Sequence, residues 1–359
     1  MKAGIIGATG YAGAELVRLL SGHSHVDDLI LSSVSFEGGR IEEVYPNFIG
    51  RVSSPLVKAE TVVSEADAVF SALPHGVGEQ FAKACVEKKK PFIDLSADFR
   101  FGDDEASFKK WYGKDYVYPE LRKYSVYGLP ELNRKRIKEL AASGPVIIGN
   151  PGCYPTGASL GCFPVLAKGI AAGAIIVDAA SGTSGGGREP SRQFHYSECA
   201  DSVAPYKIGS HRHTPEIARN FAAMAALEGR SSPPMVFTPH LVPMNRGILS
   251  TIYIPLAAEY SAGNTDEQVS KLRALYADFY RGEPFVRVLP PGVIAAANRV
   301  RGSNYCDISV HLDHSGSVLI VVSAIDNMVK GAAGQAIQNM NLIFGFDEKT
   351  GLEAIPALF

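Results

Sequence analysis

The beginning of the chain combines the features that most limit its fold: a short apolar run, a glycine-rich loop and an amphipathic segment. "AGIIGA" predicts a strand, "GATGYAG" spaces its glycines as G-x-x-G-x-x-G, and "GAELVRLLSGH" predicts a helix that ends at Gly22. Glycines permit a tight turn and a close approach of phosphate to the backbone, and the helix start attracts an anion. This context predicts a dinucleotide-binding loop, with a purely structural turn as the alternative. Its candidate cofactor contacts are Gly7, Thr9, Gly10, Tyr11 and Ala12.

The alternation of short apolar runs with amphipathic segments continues to about residue 150. "LILSSVS", "ADAVFSAL", "PFIDLSA" and "PVIIGN" predict further strands, and "GEQFAKACVEKKK" and "NRKRIKELAAS" predict helices between them. Buried strands without polar alternation, separated by helices, are typical of a parallel sheet with helices on both faces. We therefore expect an α/β protein whose residues 1–150 form a Rossmann domain, a doubly wound parallel sheet.

A different pattern follows Gly157. A helix is predicted over "YPTGASLGCFPVLAKG" and a strand over "AIIVDAAS", and then longer strands appear in "MVFTPHLVP" and "GILSTIYIPL". "DISVHLDHSGSVLIVVSAI" predicts a hairpin that turns at residues 314–316. We expect residues 151–326 to form an α+β catalytic and dimerisation domain with a mostly antiparallel sheet. The helical segment 327–359 is expected to return to the first domain.

Composition excludes several classes of protein. With 35 Lys and Arg against 37 Asp and Glu, the net charge is only −2, so we expect neither nucleic acid nor an anionic membrane as partner. The uncharged stretch 140–167 is interrupted by prolines and is predicted to be core, not a membrane span. The five cysteines include no CxxC pair, so neither a disulfide framework nor a structural zinc site is expected. Together with the lack of a signal-peptide pattern, these features predict a cytoplasmic protein.

The second predicted strand bears on the choice of cofactor. An NAD site usually has an acid at the end of this strand, to bind the ribose hydroxyls. Here "SSVSFEGGR" follows, and hydroxyls and a guanidinium can bind a 2′-phosphate. Ser33, Ser35 and Arg40 are therefore candidate contacts, and NADP is the predicted cofactor. Glu37 leaves NAD as the alternative.

One cysteine lies at a sharp bend, in "NPGCYPTG" (150–157). Pro155 suits the first turn of a helix, so Cys153 is predicted at or just before a helix N-terminus. The helix dipole there favours the thiolate, the nucleophilic form. We therefore interpret Cys153 as the nucleophile. The remaining cysteines, Cys85, Cys162, Cys199 and Cys306, are interpreted as inert.

A nucleophilic cysteine needs an acid or base, and "GSHRHTPEI" offers His211 and His213. Alternate residues of an extended segment share a face, so both rings could point into one cleft. A zinc pair completed by His195 and Cys199 is one alternative, and a merely structural pair is another.

These motifs occur together in one order: "GATGYAGAEL", "ALPHG", "DLSADFR", "YGLPELNR", "NPGCYPT", "SGTSGGGR" and "HRHTPEI". In this respect the chain resembles, over essentially its whole length, the N-acetyl-gamma-glutamyl-phosphate reductase family, the arginine-biosynthetic relatives of aspartate-semialdehyde dehydrogenase. The resemblance implies NADPH-dependent reduction of an acyl phosphate to an aldehyde through a Cys153 thioester, with His213 as acid/base and His211 as a second candidate. It also implies a dimer or tetramer.

Further residues take roles from the resemblance and from the chemistry it implies. Asn150 and the Cys153 N–H are expected to stabilise the oxyanion. Arg100 is expected to bind the leaving phosphate, with an ion pair to Asp98 or Asp103 as the alternative. The remaining candidates are Lys207, Arg212 and His211 for the substrate, and Pro74, His75, Ser181, Gly182 and Asn327 for the cofactor.

Three alternative functions stay open at this stage. One is reduction of the one-carbon-longer aminoadipyl phosphate of lysine synthesis. A second is aspartate-semialdehyde dehydrogenase, whose cysteine motif normally differs from "GCYPT". A third is a redox sensor that binds NADP without turnover, against which the cysteine–histidine combination argues.

Overall fold

The computed structural model describes residues 1–261 and 264–358, and they divide into two compact units. The first comprises Met1–Gly152 and Ala332–Ala354, and the second comprises Cys153–Gly331 and residues 355–358. The strands, in chain order, are β1 Lys2–Ile6, β2 Asp28–Ser32, β3 Leu56–Val57, β4 Ala68–Ser71, β5 Phe92–Asp94, β6 Ser125–Tyr127, β7 Ile147–Gly149, β8 Ile175–Ser181, β9 Ala204–Pro205, β10 Met235–Leu241, β11 Ile248–Pro255, β12 Val286–Val288, β13 Cys306–Leu312 and β14 Val318–Ile325.

The helices lie between these strands. They are α1 Tyr11–Leu20, α2 Ile41–Val44, α3 Ala59–Glu65, α4 Glu79–Glu87, α5 Glu105–Tyr112, α6 Pro130–Ser143, α7 Cys153–Lys168, α8 Tyr196–Cys199, α9 Thr214–Leu227, α10 Thr265–Phe279 and α11 Gly334–Phe344. A π-helical turn, Val329–Ala333, directly precedes α11.

The first unit is built on a parallel sheet with the strand order β3-β2-β1-β4-β5-β7-β6. Every described strand pair in it is parallel. Helices α1, α6 and α11 pack together, and α3 and α4 form a second group. The inner strands are buried along almost their whole length, as apolar strands covered by helices must be. The predicted doubly wound α/β fold is confirmed.

The second unit contains a mixed sheet with the order β12-β13-β14-β11-β8-β10-β9. Its central pairs β13–β14, β14–β11 and β11–β8 are antiparallel, which confirms the predicted character of this sheet. Helix α7 packs against β11, β13 and β14 and against its neighbours α9 and α10. Side chains on β8 alternate between buried and exposed, so one face of this sheet is covered and the other is open.

Several details differ from the sequence-based expectations. The edge strands β3, β6, β9 and β12 are too short to produce a periodic pattern, and sequence analysis did not find them. The last helix does not run unbroken from residue 327, because the π-helical turn interrupts its start. The uncharged stretch 140–167 forms the end of α6, β7 and most of the buried α7. Among the described residues, no helix is long and apolar enough to cross a membrane.

Candidate active site

The glycine loop connects β1 to α1 in the way the sequence predicts. Gly7 has φ +85°, and a Cβ there would lie 2.7 Å from the Ala72 carbonyl oxygen. A Cβ on Gly13 would lie 2.1 Å from the Gly7 oxygen, so only glycine fits at either position. Among the residues that the structure describes, no side chain caps the start of α1. The amides of Tyr11 and Ala12 in its first turn are therefore suited to an anionic group.

The end of β2 is tied to this loop by side chains. The Thr9 Oγ1 and Ser33 Oγ atoms lie 2.7 Å apart, and the Tyr45 hydroxyl donates to the Thr9 carbonyl at 2.9 Å. Ser35 is exposed. The guanidinium of Arg40 donates to Glu42 Oε1 at 3.1 Å and to Ser53 Oγ at 2.6 Å. Ser33 thus supports the glycine loop, whereas Arg40 lies half-exposed on the surface in an ion pair with Glu42.

The "ALPHG" loop after β4 is held by the turn that follows β5. His75 Nδ1 accepts a hydrogen bond from the Ala97 N–H at 2.9 Å, and both Asp98 carboxylate oxygens accept from the Gly76 N–H, at 2.8 and 2.9 Å. Pro74 is exposed. These contacts fix the predicted cofactor loop in one position.

Two buried carboxyl groups lie beneath this loop. Asp94 is fully buried and accepts a hydrogen bond from the Ser96 hydroxyl at 2.5 Å. Burial, and then the neighbouring charge of Asp98, raise the pKa of Asp94 to about 7. Burial also raises the pKa of Asp98. The structure therefore holds a carboxyl group that changes its charge near neutral pH.

Asn150 and Arg100, which were expected to contact the substrate, are engaged within the first unit. Asn150 is 0% exposed; its Nδ2 donates to the Ala332 carbonyl at 3.0 Å, and its Oδ1 accepts from Asn339 at 3.2 Å. Arg100 is 5% exposed and donates to the carbonyls of Asn150 at 2.7 Å and Leu95 at 2.8 Å. These contacts make both residues braces of the loop that ends β7. Their substrate contacts stay predictions.

Cys153 is the first residue of α7 and is half-buried, as the helix-start interpretation requires. Gly331 packs directly against it: a Cβ on Gly331 would lie 2.8 Å from the Cys153 Cβ and 3.2 Å from its Cα. The cysteines Cys85, Cys162 and Cys306 are buried, and burial raises the pKa of Cys85 to about 12. A thiol protected in this way forms little thiolate at neutral pH.

A cavity of about 190 Å³ in the second unit opens at Cys153. Five segments supply its walls: the start of α7, the end of β8 with the glycine-rich loop after it, the segment before α8, the segment before α9 and the end of β10. The lining residues are Cys153, Tyr154, Ser181, Gly182, Gly185, Gly186, Gln193, Phe194, Tyr206, Lys207, His211, Arg212, His213 and Leu241. The cavity thus brings together the predicted nucleophile, both histidines and the side chains of Lys207 and Arg212. It also includes Ser181 and Gly182, two of the predicted cofactor-binding residues.

The two histidines differ in their hydrogen bonding. His211 Nδ1 accepts from the backbone N–H of His213 at 3.1 Å. Burial first, and then the positive charges of Lys207 and Arg212, lower the pKa of His211 to about 4. His213 directly precedes α9 and is also buried. His211 is therefore neutral at physiological pH. Of the two histidines, His213 stays the predicted acid/base residue.

Aromatic rings enclose the histidine pair. The ring of His211 makes edge contacts with Tyr154 at 5.6 Å, Tyr206 at 5.4 Å and Phe237 at 5.5 Å between centroids. The two tyrosine hydroxyls lie 3.0 Å apart, and burial raises the pKa of Tyr206 to about 12. The tyrosines therefore stay protonated and act as hydrogen-bonding walls.

Asn327 supports the glycine-rich loop after β8. Its Oδ1 accepts from the Gly247 N–H at 2.7 Å, and its Nδ2 donates to the Ser184 hydroxyl at 3.0 Å. Only glycine fits at position 182, because a Cβ there would lie 2.6 Å from the Asn245 carbonyl oxygen. Asn327 thus braces a cavity wall, and its contact with a nicotinamide stays a prediction.

Sequence analysis missed Tyr206, Gln193, Phe194 and Gly331. Tyr206 adjoins the predicted Lys207, so proximity in sequence could have indicated it. Phe194 rests on Gly186, where a Cβ would lie 2.2 Å from its ring, and no local pattern predicts that contact. Among the described residues, no group of three or more His, Cys, Asp or Glu side chains is placed to bind a metal ion.

The chain matches known proteins over its full length. Residues 2–140 match the semialdehyde dehydrogenase NAD binding domain, and residues 153–327 match the semialdehyde dehydrogenase dimerisation domain. The chain is similar to aspartate semialdehyde dehydrogenase II of Vibrio cholerae, solved with ASA, at a TM-score of 0.71 and 17% identity, covering 96% of this chain and 98% of that one. The aspartate semialdehyde dehydrogenase of Candida albicans, solved with NADP, gives a TM-score of 0.64 at 19% identity, covering 96% and 97%. At such identity these structures show the shared fold alone.

Relatives identified by sequence are much more similar to this chain than these solved structures are. The chain is 48% identical over 361 residues to the N-acetyl-gamma-glutamyl-phosphate reductase of Clostridium beijerinckii, and 46% identical over 360 residues to that of Clostridium kluyveri. It is 46% identical over 367 residues to the reductase of Brachyspira hyodysenteriae, and in each case all of both chains is covered. The chain therefore belongs to the N-acetyl-gamma-glutamyl-phosphate reductase family, within the semialdehyde dehydrogenases.

Proposed function

We propose that this protein reduces N-acetyl-L-glutamyl 5-phosphate to N-acetyl-L-glutamate 5-semialdehyde, with release of phosphate, in arginine biosynthesis. The observation that carries the proposal is the single cavity that contains Cys153, both histidines, Lys207 and Arg212. Full-length identity to reductases of that name supports the choice of substrate.

Cys153 supplies the nucleophile. Its sulfur attacks the acyl carbon, the bond to the phosphate oxygen breaks, and a thioester remains on the enzyme. The start of α7 favours the thiolate form, and its first-turn amides can stabilise the oxyanion. His213 donates a proton to the carbonyl oxygen or accepts it back, because an imidazole can act as general acid or as general base.

The cations of the cavity match the charges of this substrate. The acyl phosphate carries a carboxylate and a phosphate, and the cavity presents Lys207 and Arg212. An arginine can bind either group with two parallel N–H donors, and a lysine acts as a point charge. Arg100 and Asn150 act indirectly in this reaction: the Arg100 guanidinium donates to the Asn150 carbonyl and so holds the loop that precedes Cys153.

NADP is the proposed form of the nicotinamide cofactor. The residues of the first unit proposed to bind it are Gly7, Thr9, Gly10, Tyr11, Ala12, Ser33, Ser35, Arg40, Pro74 and His75, and those of the second unit are Ser181, Gly182 and Asn327. The start of α1 and the lack of space for a side chain at Gly7 and Gly13 fit a pyrophosphate. No acidic residue stands at the end of β2, which reads Ser32-Ser33, and this favours a 2′-phosphate. When bound, the reduced cofactor would supply a hydride to the thioester carbon. The C–S bond then breaks, which releases the aldehyde and returns Cys153 to its free form.

We assign cofactor binding to the first unit and catalysis with self-association to the second. On the open face of the second sheet, Val236, Ile176 and Tyr253 form a row across three adjacent strands, and each is more than a third exposed. An exposed apolar row of this kind favours contact with another copy, as a dimer or tetramer. A cytoplasmic location is proposed because Cys153 must stay reduced to act.

The reverse reaction tests the function directly. The purified protein receives N-acetylglutamate 5-semialdehyde, phosphate and NADP⁺, and NADPH formation is followed by its absorbance. Parallel reactions contain NAD⁺, aspartate semialdehyde or the one-carbon-longer aminoadipate semialdehyde. Phosphate-dependent formation of NADPH with the glutamate compound supports the proposal. A higher kcat/KM with either other aldehyde would reject the substrate, and binding of NADP⁺ without turnover of any aldehyde would indicate a sensor.

A further inference from the structure

His211 occupies an unusual position among the cavity residues. It is only 5% exposed, yet it lines the cavity that contains Cys153. Its Nδ1 accepts from the His213 backbone N–H at 3.1 Å. A nitrogen that accepts a hydrogen bond carries no proton, so the proton of the neutral ring lies on Nε2. Within the part of the chain that the structure describes, no group accepts a hydrogen bond from that Nε2.

We propose that His211 is a catalytic hydrogen-bond donor, whose neutral Nε2–H binds the acyl oxygen of the substrate as negative charge develops there. This rests on the proposed reduction of an acyl phosphate. It differs from an acid/base role because His211 keeps its proton throughout the cycle.

The surroundings of His211 favour this assignment over protonation. The titratable and charged side chains that face its ring or share its cavity are Cys153, Tyr154, Tyr206, Lys207, Arg212 and His213. None of them is a carboxylate that would stabilise an imidazolium, and Lys207 and Arg212 oppose it. Burial acts in the same direction, and the pKa of His211 lies at about 4.

Charge matching selects the acyl oxygen as the ligand. The carboxylate and phosphate of the substrate carry permanent charges, which Lys207 and Arg212 can balance. The acyl oxygen is neutral in the bound substrate and becomes negative only as the sulfur attacks. A neutral donor fixed by its neighbours stabilises that oxygen without attracting bulk anions. The side chain expected to do this, Asn150, instead donates to the Ala332 carbonyl.

Nitrogen-15 NMR of the histidine rings tests the protonation state without any turnover. The signals of His211 are assigned by comparison with a His211→Gln protein. Between about pH 5.5 and pH 8, His211 should show a protonated Nε2 and an unprotonated Nδ1 that do not titrate. Titration in this range, or a proton on Nδ1, would overturn the proposal. This result does not depend on the identity of the substrate, so it stands apart from a failure of the proposed reaction.

Kinetics of two variants test the contact with the acyl oxygen. His211→Phe keeps an aromatic ring without a donor, and kcat should fall about 10²- to 10³-fold with little change in KM, the usual effect of losing an oxyanion donor. His211→Gln keeps a neutral N–H donor and should recover most of that loss. His311→Phe, on β13 and away from the cavity lining, is the matched control and should behave as wild type. A His211→Phe enzyme within about threefold of wild-type kcat, or a Gln variant no better than Phe, would contradict the assignment.

Discussion

Replacing Gly331 with alanine should displace the proposed nucleophile, Cys153, without changing the identity of any residue predicted to be catalytic. The added methyl group would lie 2.8 Å from the Cys153 Cβ, 3.2 Å from its Cα and 3.4 Å from the Asp326 carbonyl oxygen. Carbon atoms in good contact lie about 3.5–4.0 Å apart, so the overlap with the Cys153 Cβ is close to 1 Å. The Cα and Cβ atoms of Cys153 are not the end of a flexible side chain. The start of α7 or the turn at Gly331 must therefore shift.

The expected magnitude follows from this overlap. Forcing one methylene into a packed site costs about 1–3 kcal/mol of folding stability. A displacement of a reacting group by about 1 Å can lower the rate about 10²-fold. Gly331→Ala should therefore remain folded with a lower melting temperature, and its kcat should fall by about two orders of magnitude.

The assay compares this variant with Gly157→Ala. Gly157 lies in α7, one turn after Cys153, and a Cβ there would make only ordinary contacts, the nearest at 3.5 Å to the Ser323 hydroxyl. That variant should keep wild-type kcat and gain a little stability, because alanine favours a helix over glycine. Turnover, the alkylation rate of Cys153 and thermal unfolding are measured for both proteins. A Gly331→Ala enzyme with kcat within about twofold of wild type would refute the argument from packing.

The remaining predictions concern the nucleophile, the cofactor and pH. Cys153→Ser should retain less than about a tenth of the turnover while still binding NADPH, whereas Cys85→Ala should lose far less; the reverse order would reject the thioester. Arg40→Ala should raise the KM for NADPH about tenfold and leave that for NADH nearly unchanged, with exposed Arg51→Ala as control; equal effects would exclude a 2′-phosphate contact. The pKa of Asp94 rises from 3.8 to about 7 on folding, so its contribution to stability is complete below pH 3.8 and is lost as the pH rises through about 7. In thermal unfolding, the melting temperature of Asp94→Asn relative to wild type should therefore increase from pH 4 to pH 8, and a constant difference would contradict the raised pKa.

Local rules were sufficient for much of the fold and for the position of Cys153 at the start of a helix. Glycine spacing after an apolar strand predicted the loop at Gly7, because a positive φ and a close backbone approach depend on a few adjacent residues. Pro155 predicted a helix start at Cys153 in the same way. Apolar strands alternating with helices predicted the parallel sheet, since burial on both faces removes polar alternation.

The tertiary structure alone decided which polar groups are occupied and which face the cavity. Asn150 and Cys153 lie in one short motif, yet their surroundings differ. The Asn150 side chain is hydrogen-bonded to Ala332 and Asn339, whereas Cys153 packs against Gly331 and lines the cavity. These partners come from the far end of the chain, and no periodicity predicts them. Most buried polar groups in a folded protein have a hydrogen-bond partner, and which partner it is depends on the segments that folding brings together. A residue type therefore indicates which chemistry is available, and its long-range contacts determine whether that chemistry is free for the substrate.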